Sequence, residues 1–459
     1  MKGDFTRDTF DQTKQFTRVL MQQGRVQLDA DFNEQTAILL HYLRALASDM
    51  IGPHAGPAGN VGFQIGVKSG KGQVVDDLTI SSGRYYVDGI MCEHVAGDAK
   101  SAPTYYSQPF YPLEKAKDKS LDPPFLVYLD VWERHVSAYE DDDIREIALG
   151  VNGPDTTTRA QVVWQVRTTP VAAGTNRDDL EARWPALVQE WQADNRGFLQ
   201  ARVRKADEAN LNGPCVTPPD SRYRGAENQL YRVEVHRGSG ATEPTFKWSR
   251  ENGSTVFPIE NFDGEGSAVT LASVGRDARL GLNEGDWVEL MNNDSALRAE
   301  DPGPLFRVVA IDRLDRKVTL DRPLSGSIET DLTKRPLLRR WDNSWQGTWD
   351  STNRNPADGL PILEDAEWRE LEDGIVVRFQ AGSGEPNRYR TGDFWLIPAR
   401  TVTGGIIWPG WDTNNPASRP PHGVRHHYAP LAIVAMNNNK VEATDCRMQF
   451  DRQAVPFGG

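Results

Sequence analysis

The chain has 459 residues, of which 38% are hydrophobic and 25% charged, with a formal net charge of −13. This length predicts about two to four domains at roughly 150 residues each, and the acidic balance argues against nucleic-acid binding, which needs clustered Lys and Arg. No apolar run reaches the roughly 18 residues of a transmembrane helix, and the polar N-terminus does not resemble a secretory signal, so we expect synthesis in the cytoplasm without membrane insertion.

Residues 24–52 predict an amphipathic helix that ends at a Gly/Pro-rich stretch. Asp31 is expected to cap the first turn, with Glu34 reaching back to the cap amide. Asp29 and Asp31 could form a paired-carboxylate site, but capping of the helix explains both.

Apolar residues recur along this helix at alternating spacings of four and three. Such a heptad-like stripe is narrow enough to be a seam against another helix. The same stripe could instead pack on the chain's own β domains, and periodicity alone does not choose between the two. The predicted oligomer or partner seam consists of Phe32, Leu39, Leu43, Leu46 and Met50, with Thr36 completing the repeat.

Strand signals dominate residues 61–177. Asp88-Gly89, flanked by β-prone residues, is a strong hairpin signal. Residues 124–140 carry apolar side chains on both faces and predict a largely buried strand, with 159–171 as its partner. The acidic run at 140–143 lacks the spaced ligands of a calcium loop and is interpreted as a solvated turn.

Residues 178–209 interrupt the β pattern with apolar residues at helical spacing, and Pro185 is expected in the first turn of a helix that begins there. The β pattern then resumes, with Asn252-Gly253 as a second hairpin signal. Gly285-Asp286-Trp287 and Gly392-Asp393-Phe394 suggest two related small barrels, although three letters are weak evidence for a repeat.

These patterns predict a mainly β, multidomain protein of small β-barrels or sandwiches, with an N-terminal α-helix and a helical insert. The expected division is an N-terminal arm and assembly helix (1–60), a first β domain (61–177), a helical insert and linker (178–223), a second β domain (224–335), and a third β region with a Trp-rich loop (336–459).

The Trp-rich loop is the candidate for glycan binding, because sugar rings stack on aromatic faces while Asp, Asn and Arg bond their hydroxyl groups. Its tryptophans are Trp341, Trp345 and Trp349. Burial in a core is the commoner role of tryptophan, and it remains the alternative.

Candidate metal ligands are few. His422, His426 and His427 form the densest cluster, but the prolines and glycine around them argue against a helix that would place two on one face. We favour hydrogen-bonded loop histidines, with no metal and no other cofactor. The three cysteines, Cys92, Cys215 and Cys446, lack zinc or redox spacings and are expected to be buried free thiols.

No motif of nucleophilic, nucleotide-binding or metalloprotease chemistry occurs in the sequence, so an enzyme is not expected. Five long segments instead carry a resemblance: MKGDFTRDTFDQTKQFTRVLMQQGRVQLDADFNEQ at the N-terminus, PFLVYLDVWERHVSAYEDDDIREIALGVNGPDTTTRAQVVWQV, YRGAENQLYRVEVHR, TFKWSRENGS and GDFWLIPARTVTGGIIWP. They resemble an uncharacterised family encoded in gene clusters for phage-like tails and extracellular contractile injection systems.

The likeness extends to about residue 434 and transfers no catalytic residues. It implies a structural or interaction component of such a particle, in the baseplate, a fibre or a tail accessory part. Its partners would be other particle proteins or further copies of itself, and it would be assembled in the cytoplasm and released with the particle. The alternatives are a glycan-binding module that recognises a target surface, and cargo carried by the particle.

Overall fold

A computed structural model describes residues 1–69, 74–95, 103–110, 121–150, 154–192, 196–204, 222–240, 243–263, 266–277, 279–298, 302–324, 331–343, 359–365, 367–382 and 384–451. The fold is mainly β, with an N-terminal helix and a helical insert, as the sequence predicted. Within these ranges no helix is both long and apolar enough to span a bilayer.

The α-helices are α1 (Asp29–Ile51), α2 (Arg177–Trp191) and α3 (Asn293–Arg298). The strands are β1 (His54–Pro57), β2 (Ile65–Ser69), β3 (Val75–Ile80), β4 (Gly83–Val87), β5 (Ile90–His94), β6 (Phe125–Val136), β7 (Arg159–Pro170), β8 (Phe198–Val203), β9 (Gln229–Arg237), β10 (Thr245–Ser249), β11 (Val256–Phe262), β12 (Ala268–Leu271), β13 (Trp287–Met291), β14 (Leu305–Asp312), β15 (Lys317–Leu320), β16 (Leu337–Trp341), β17 (Leu360–Pro361), β18 (Arg369–Glu372), β19 (Ile375–Gln380), β20 (Phe394–Arg400), β21 (Gly405–Ile406), β22 (His427–Asn437), β23 (Lys440–Asp445) and β24 (Gln449–Phe450).

The chain forms two compact units, each built from three segments. The helix unit comprises Thr9–Arg134, Ala160–Ala193 and Arg425–Gly459, and the barrel unit comprises Met1–Asp8, His135–Arg159 and Asp194–Val424. The two units alternate along the chain, whereas the five domains predicted from the sequence are contiguous, so these are different divisions of the same chain.

The helix unit contains a four-stranded sheet in the order β23-β22-β6-β7, a second in the order β24-β1-β4-β5, and the pair β2-β3. β6 is mostly buried and lies next to β7, as predicted for segments 124–140 and 159–171. Helix α2 covers one face of β6 and β22, where Leu180 packs with Leu126 and Ile433. The helical insert is therefore confirmed as an element, but it begins at Arg177, and Pro185 lies within the helix rather than in its first turn.

The predicted turn between β4 and β5 is confirmed. Val87 pairs with Ile90, and the two residues between them, Asp88 and Gly89, have φ values of +47° and +77°. Two consecutive positive φ angles define the tight hairpin turn whose twist matches that of its flanking strands.

The barrel unit contains a closed six-stranded barrel in the order β11-β12-β15-β14-β13-β16, beside a five-stranded sheet in the order β17-β10-β9-β20-β21 and a three-stranded sheet in the order β18-β19-β8. The barrel encloses an apolar core that includes Val269, Val288, Phe306 and Val318. A separate core, rich in aromatic residues, joins the two open sheets.

The turn at Asn252-Gly253 exists, but the hairpin predicted around it is wrong. Both residues have positive φ values, +52° and +66°. The strands on either side belong to different sheets, since β10 pairs with β9 whereas β11 pairs with β12 and β16. A turn signal reports local backbone conformation, and it does not specify which strands pair.

The two Gly-Asp-aromatic segments share local geometry without marking two barrels. Gly285 and Gly392 both have positive φ values, +94° and +85°, immediately before a strand. However, Trp287 begins a strand of the closed barrel, whereas Phe394 begins a strand of the open five-stranded sheet. The expectation of two related barrels is therefore wrong.

A cluster of buried charges lies between β9, β10 and the barrel strand β13. Lys247 Nζ is 2.7 Å from Glu289 Oε2 and 3.5 Å from Glu234 Oε1, and these three side chains are almost completely buried. Arg232 Nε donates to Glu234 Oε2 at 2.5 Å, and Lys2 Nζ is 2.9 Å from Glu234 Oε1. Burial alone would raise the pKa of Glu234, but these cations bring it below its ordinary range.

Candidate assembly surface

The predicted helix exists, but it begins two residues before the predicted cap. α1 begins at Asp29, and its N-cap residue, Leu28, makes no side-chain capping bond. Asp29 and Asp31 lie in the first turn, where negative charge is stabilised by the helix dipole. Glu34 does not form the predicted capping box, because its carboxylate accepts a hydrogen bond of 2.6 Å from Thr9 Oγ1.

One face of α1 is fixed to the helix unit. Ala30 and Ile38 are each 1% exposed on this face. In the fifth turn, the Arg44 guanidinium makes two hydrogen bonds to the Glu133 carboxylate of β6. The helix backbone at Arg44 also lies so close to Gly89 that a Cβ on Gly89 would collide with the Arg44 carbonyl oxygen.

The predicted seam residues lie on α1 away from these contacts. Their exposed fractions are 72% for Phe32, 52% for Leu39, 62% for Leu43, 58% for Leu46 and 72% for Met50. Within the described residues, the stripe is therefore solvent-exposed and does not pack on the chain's own β core. Contiguous exposed apolar surface of this kind is uncommon in monomeric proteins and is typical of interaction sites.

The exposed apolar surface is broader than the five predicted residues. On α1 it also includes Leu40 and Tyr42, at 40% and 48% exposed. It continues into the preceding segment, where Val19 N donates to Gln35 Oε1 at 2.8 Å. These additional residues were missed because the segment before α1 has no regular period and Leu40 and Tyr42 flank the stripe. The apolar side chains exposed in that segment are Phe16, Leu20, Met21, Val26 and Leu28.

Two of the three histidines predicted to be hydrogen-bonded have carboxylate partners within the helix unit. His426 Nδ1 is 2.7 Å from Asp130 Oδ1, and His427 Nδ1 is 2.8 Å from Asp88 Oδ2. His422 belongs to the barrel unit, where its backbone pairs with Phe394. Among the described residues, no group of three His, Cys, Asp or Glu side chains is arranged to hold a metal ion.

Of the three tryptophans in the predicted glycan-binding loop, only Trp341 lies within the described residues. Trp341 is 1% exposed, its indole donates to Glu289 Oε2 at 2.9 Å, and the ammonium groups of Lys2 and Lys247 lie over its ring. Trp341 therefore cannot offer a face to a sugar, and its inclusion in that site is wrong. Trp345 and Trp349 lie outside the described residues.

Two of the three cysteines, Cys92 and Cys446, are free and buried, as predicted. Burial raises the pKa of both thiols, which disfavours the reactive thiolate. Cys215 lies outside the described residues.

Comparison with known proteins assigns a family. The chain belongs to the family of unknown function DUF6519, which matches residues 1–212 and 198–455. No curated protein and no solved structure matches the chain. The family match supplies no activity, ligand or partner, so the function has to be argued from the surfaces of the protein itself.

Proposed function

We propose that this protein is a structural component of a phage-tail-like contractile injection particle, and that it assembles through the exposed stripe of α1. The observation that carries the assembly role is the stripe itself, which faces solvent on a helix whose opposite face is fixed to the protein. The particle context is supported by the sequence resemblance alone. A structural role requires no catalytic group.

The pattern of residues around the stripe favours self-association. In heptad terms, the d positions are Phe32, Leu39 and Leu46, and the a positions are Thr36, Leu43 and Met50. Charged residues at the flanking e and g positions normally select a partner, and here only Asp49 is charged among them. Apolar contact therefore dominates, and a second copy of the same helix is a suitable partner.

The apolar surface is large enough to matter energetically. Complete burial of a Leu, Phe or Met side chain contributes roughly 1.5–3 kcal/mol. Because the five seam side chains are half to three-quarters exposed, burial against a partner helix contributes about 1–2 kcal/mol for each of them.

Light scattering on the purified protein tests the assembly role. We expect the wild type to form an oligomer, and L39D/L43D to be a folded monomer with unchanged circular dichroism. Because the interface stabilises the oligomer by mass action, the melting temperature of the wild type should rise with protein concentration, whereas that of L39D/L43D should not. A matched control is L314D/V402D, which places the same charges at two turn residues of the barrel unit that are 96% and 95% exposed. This control should remain oligomeric. A monomeric wild type, together with an unfolded L39D/L43D, would contradict self-association.

Mass spectrometry of purified particles tests the particle context. A structural component of a symmetric tail should occur in a fixed ratio to the tube protein, in multiples of three or six. A low and variable copy number would indicate cargo, and absence from the particle would contradict the proposal.

A further inference from the structure

A polar cleft of about 580 Å³ opens on the barrel unit. This volume lies within the range of small-molecule sites. Its charged and phenolic lining consists of three guanidinium groups, two carboxyl groups and one hydroxyl, which belong to Arg224, Arg250, Arg279, Glu372, Asp373 and Tyr231. The cleft shares no residue with α1, so it is independent of the proposed assembly surface.

Glu372 is the most constrained group of the cleft. Its Oε1 accepts a hydrogen bond of 3.0 Å from the Tyr231 hydroxyl, and its Oε2 accepts one of 2.7 Å from Arg250 Nη2. Burial raises the pKa of Glu372 most, the negative charges of Asp342 and Asp373 also raise it, and Arg250 and the Tyr231 hydrogen bond oppose them, so that the resulting pKa is about 7. At neutral pH this carboxyl group therefore exists in both protonation states.

Arg250 has unused hydrogen-bonding capacity. Arg250 Nη2, which donates to Glu372, also lies 3.5 Å from Asp342 Oδ1, so one nitrogen contacts two carboxylates. Its Nε is buried and has no hydrogen-bond partner among the described residues. A buried donor without a partner costs about 1–3 kcal/mol. Nε itself is shielded from solvent, so a ligand in the cleft would contact the terminal part of this side chain, which is 27% exposed.

The other two guanidinium groups lie at the accessible edge. Arg279 Nη2 is 2.8 Å from Glu227 Oε1, and Arg224 Nη2 is 3.1 Å from Glu370 Oε1. The two arginine side chains are 40% and 41% exposed. Exposed ion pairs of this kind contribute little to stability, so a competing anion can replace the carboxylate at small cost.

The cleft concentrates three guanidinium groups although the whole chain is acidic. Glu372 and Asp373 share the lining with them. The carboxylates that pair with Arg224, Arg250 and Arg279 lie just beyond the lining, on Glu370, Asp342 and Glu227. A guanidinium group presents paired N–H donors that match the two oxygens of a carboxylate or phosphate. Glu372 and the side-chain amide of Gln229 supply acceptors and donors for hydroxyl groups.

We propose that this cleft binds a small hydroxylated ligand that carries one carboxylate or phosphate group. The anionic group is held by Arg224, Arg250 and Arg279, and the hydroxyl groups bond to Glu372 and Gln229. An acidic sugar unit is the simplest ligand with this chemistry. Ionisation of Glu372 opposes binding, because it adds a negative charge that competes for Arg250.

Calorimetric titration of the full chain at pH 6.5 tests this site with three probes: glucuronate for the carboxylate, glucose 6-phosphate for the phosphate, and glucose as the neutral control. We expect at least one anionic probe to bind and glucose not to bind. The variant R224Q/R279Q should weaken binding of that probe about tenfold or more, as expected for loss of charge-assisted hydrogen bonds.

The matched control is R316Q, since Arg316 is 44% exposed and also paired with a carboxylate, Glu260, away from the cleft. Its affinity for the probe should be unchanged. For glucuronate, whose charge is constant in this range, wild-type affinity should fall between pH 6 and pH 8, whereas E372Q, which stays neutral, should lose most of that dependence. Glucose 6-phosphate itself gains charge near pH 6, so for this probe the affinity of the wild type is compared with that of E372Q at each pH. Failure of both anionic probes to bind, or an equal loss of affinity in R316Q, would overturn the proposal.

Discussion

Arg44 and Glu133 form a bidentate ion pair that joins the fifth turn of α1 to strand β6. Arg44 Nη1 donates to Glu133 Oε2 at 3.0 Å, and Arg44 Nη2 donates to Glu133 Oε1 at 2.7 Å. Both side chains are less than one-third exposed, at 30% and 25%. Paired geometry and partial burial make this a stronger contact than an ordinary surface ion pair.

Replacement of Arg44 should therefore loosen α1. We expect R44Q to lower the free energy of unfolding by about 1 kcal/mol and to increase amide hydrogen exchange within residues 29–51. Urea titration and exchange mass spectrometry measure the two effects. In a double-mutant cycle with E133Q, the two losses should not add, and full additivity would show that the ion pair does not couple helix to strand.

Gly89 is expected to be required for the position of α1. Any side chain there must adopt a left-handed backbone conformation, which costs about 1–2 kcal/mol, and its Cβ would also collide with the Arg44 carbonyl oxygen. G89A should therefore destabilise the protein by about 2–4 kcal/mol, as strain and steric overlap combine.

The matched control for G89A is G174A. Gly174 belongs to the same unit and has a similar φ of +83°, but a Cβ there would meet nothing within 4 Å. G174A should lose only the conformational part, about 1–2 kcal/mol. Equal melting temperatures for the two variants would show that contact with α1 does not constrain Gly89.

Replacement of the buried Lys247 is expected to destabilise the barrel unit strongly. K247M would leave the buried carboxylates of Glu234 and Glu289 with one cation fewer, which should lower stability by about 3–5 kcal/mol. The control is K317M, because Lys317 pairs with Asp263 at 2.9 Å but is 48% exposed, and it should lose less than about 1 kcal/mol. Denaturant unfolding of both variants measures the difference, and similar losses would contradict the importance of burial.

Glu372 should make stability depend on pH. Its folded-state pKa of about 7 lies above the ordinary glutamate pKa of 4.5, so its stabilising contribution is fully present below pH 4.5 and is lost as pH rises through 7. Relative to E372Q, the wild type should lose about 1–3 kcal/mol between pH 4.5 and pH 8.

The pH dependence of stability must be measured as the difference between the wild type and E372Q, because other groups also titrate. Burial lowers the pKa of His135 and His236 to about 3, and these histidines make the folded state more stable as pH rises through the acid range. This opposite trend is common to the wild type and E372Q and cancels in the difference. Parallel stability curves for the two proteins would contradict the raised pKa of Glu372.

Local features were predictable from the sequence. The stripe of α1 and the turn at Asp88-Gly89 depend on residues within a few positions of each other, so periodicity and turn chemistry suffice. The start of α1 was misplaced because Glu34 finds a partner, Thr9, that lies 25 positions away.

Features that combine distant segments were not predictable. The buried charges of β9 sit in a strand whose first eight residues are all buried, so no alternation of polar and apolar residues distinguishes its faces. The cleft combines side chains from residue 224 to residue 373, and no local pattern indicates that Tyr231 and Glu372 meet. Trp341 was misassigned for the same reason, since its partner Glu289 comes from another barrel strand.

The pairing of β6 with β22 has a consequence for synthesis on the ribosome. His427 pairs with Val131, so one edge of β6 stays unpaired until a partner strand emerges roughly 300 residues later. At 5 to 20 residues per second, this takes about 15 to 60 s. During that interval the whole segment from Asp194 to Val424 emerges and can complete the barrel unit first. The nascent chain therefore carries an unpaired, apolar strand edge for most of its elongation, which makes it a natural client for chaperones that shield such edges.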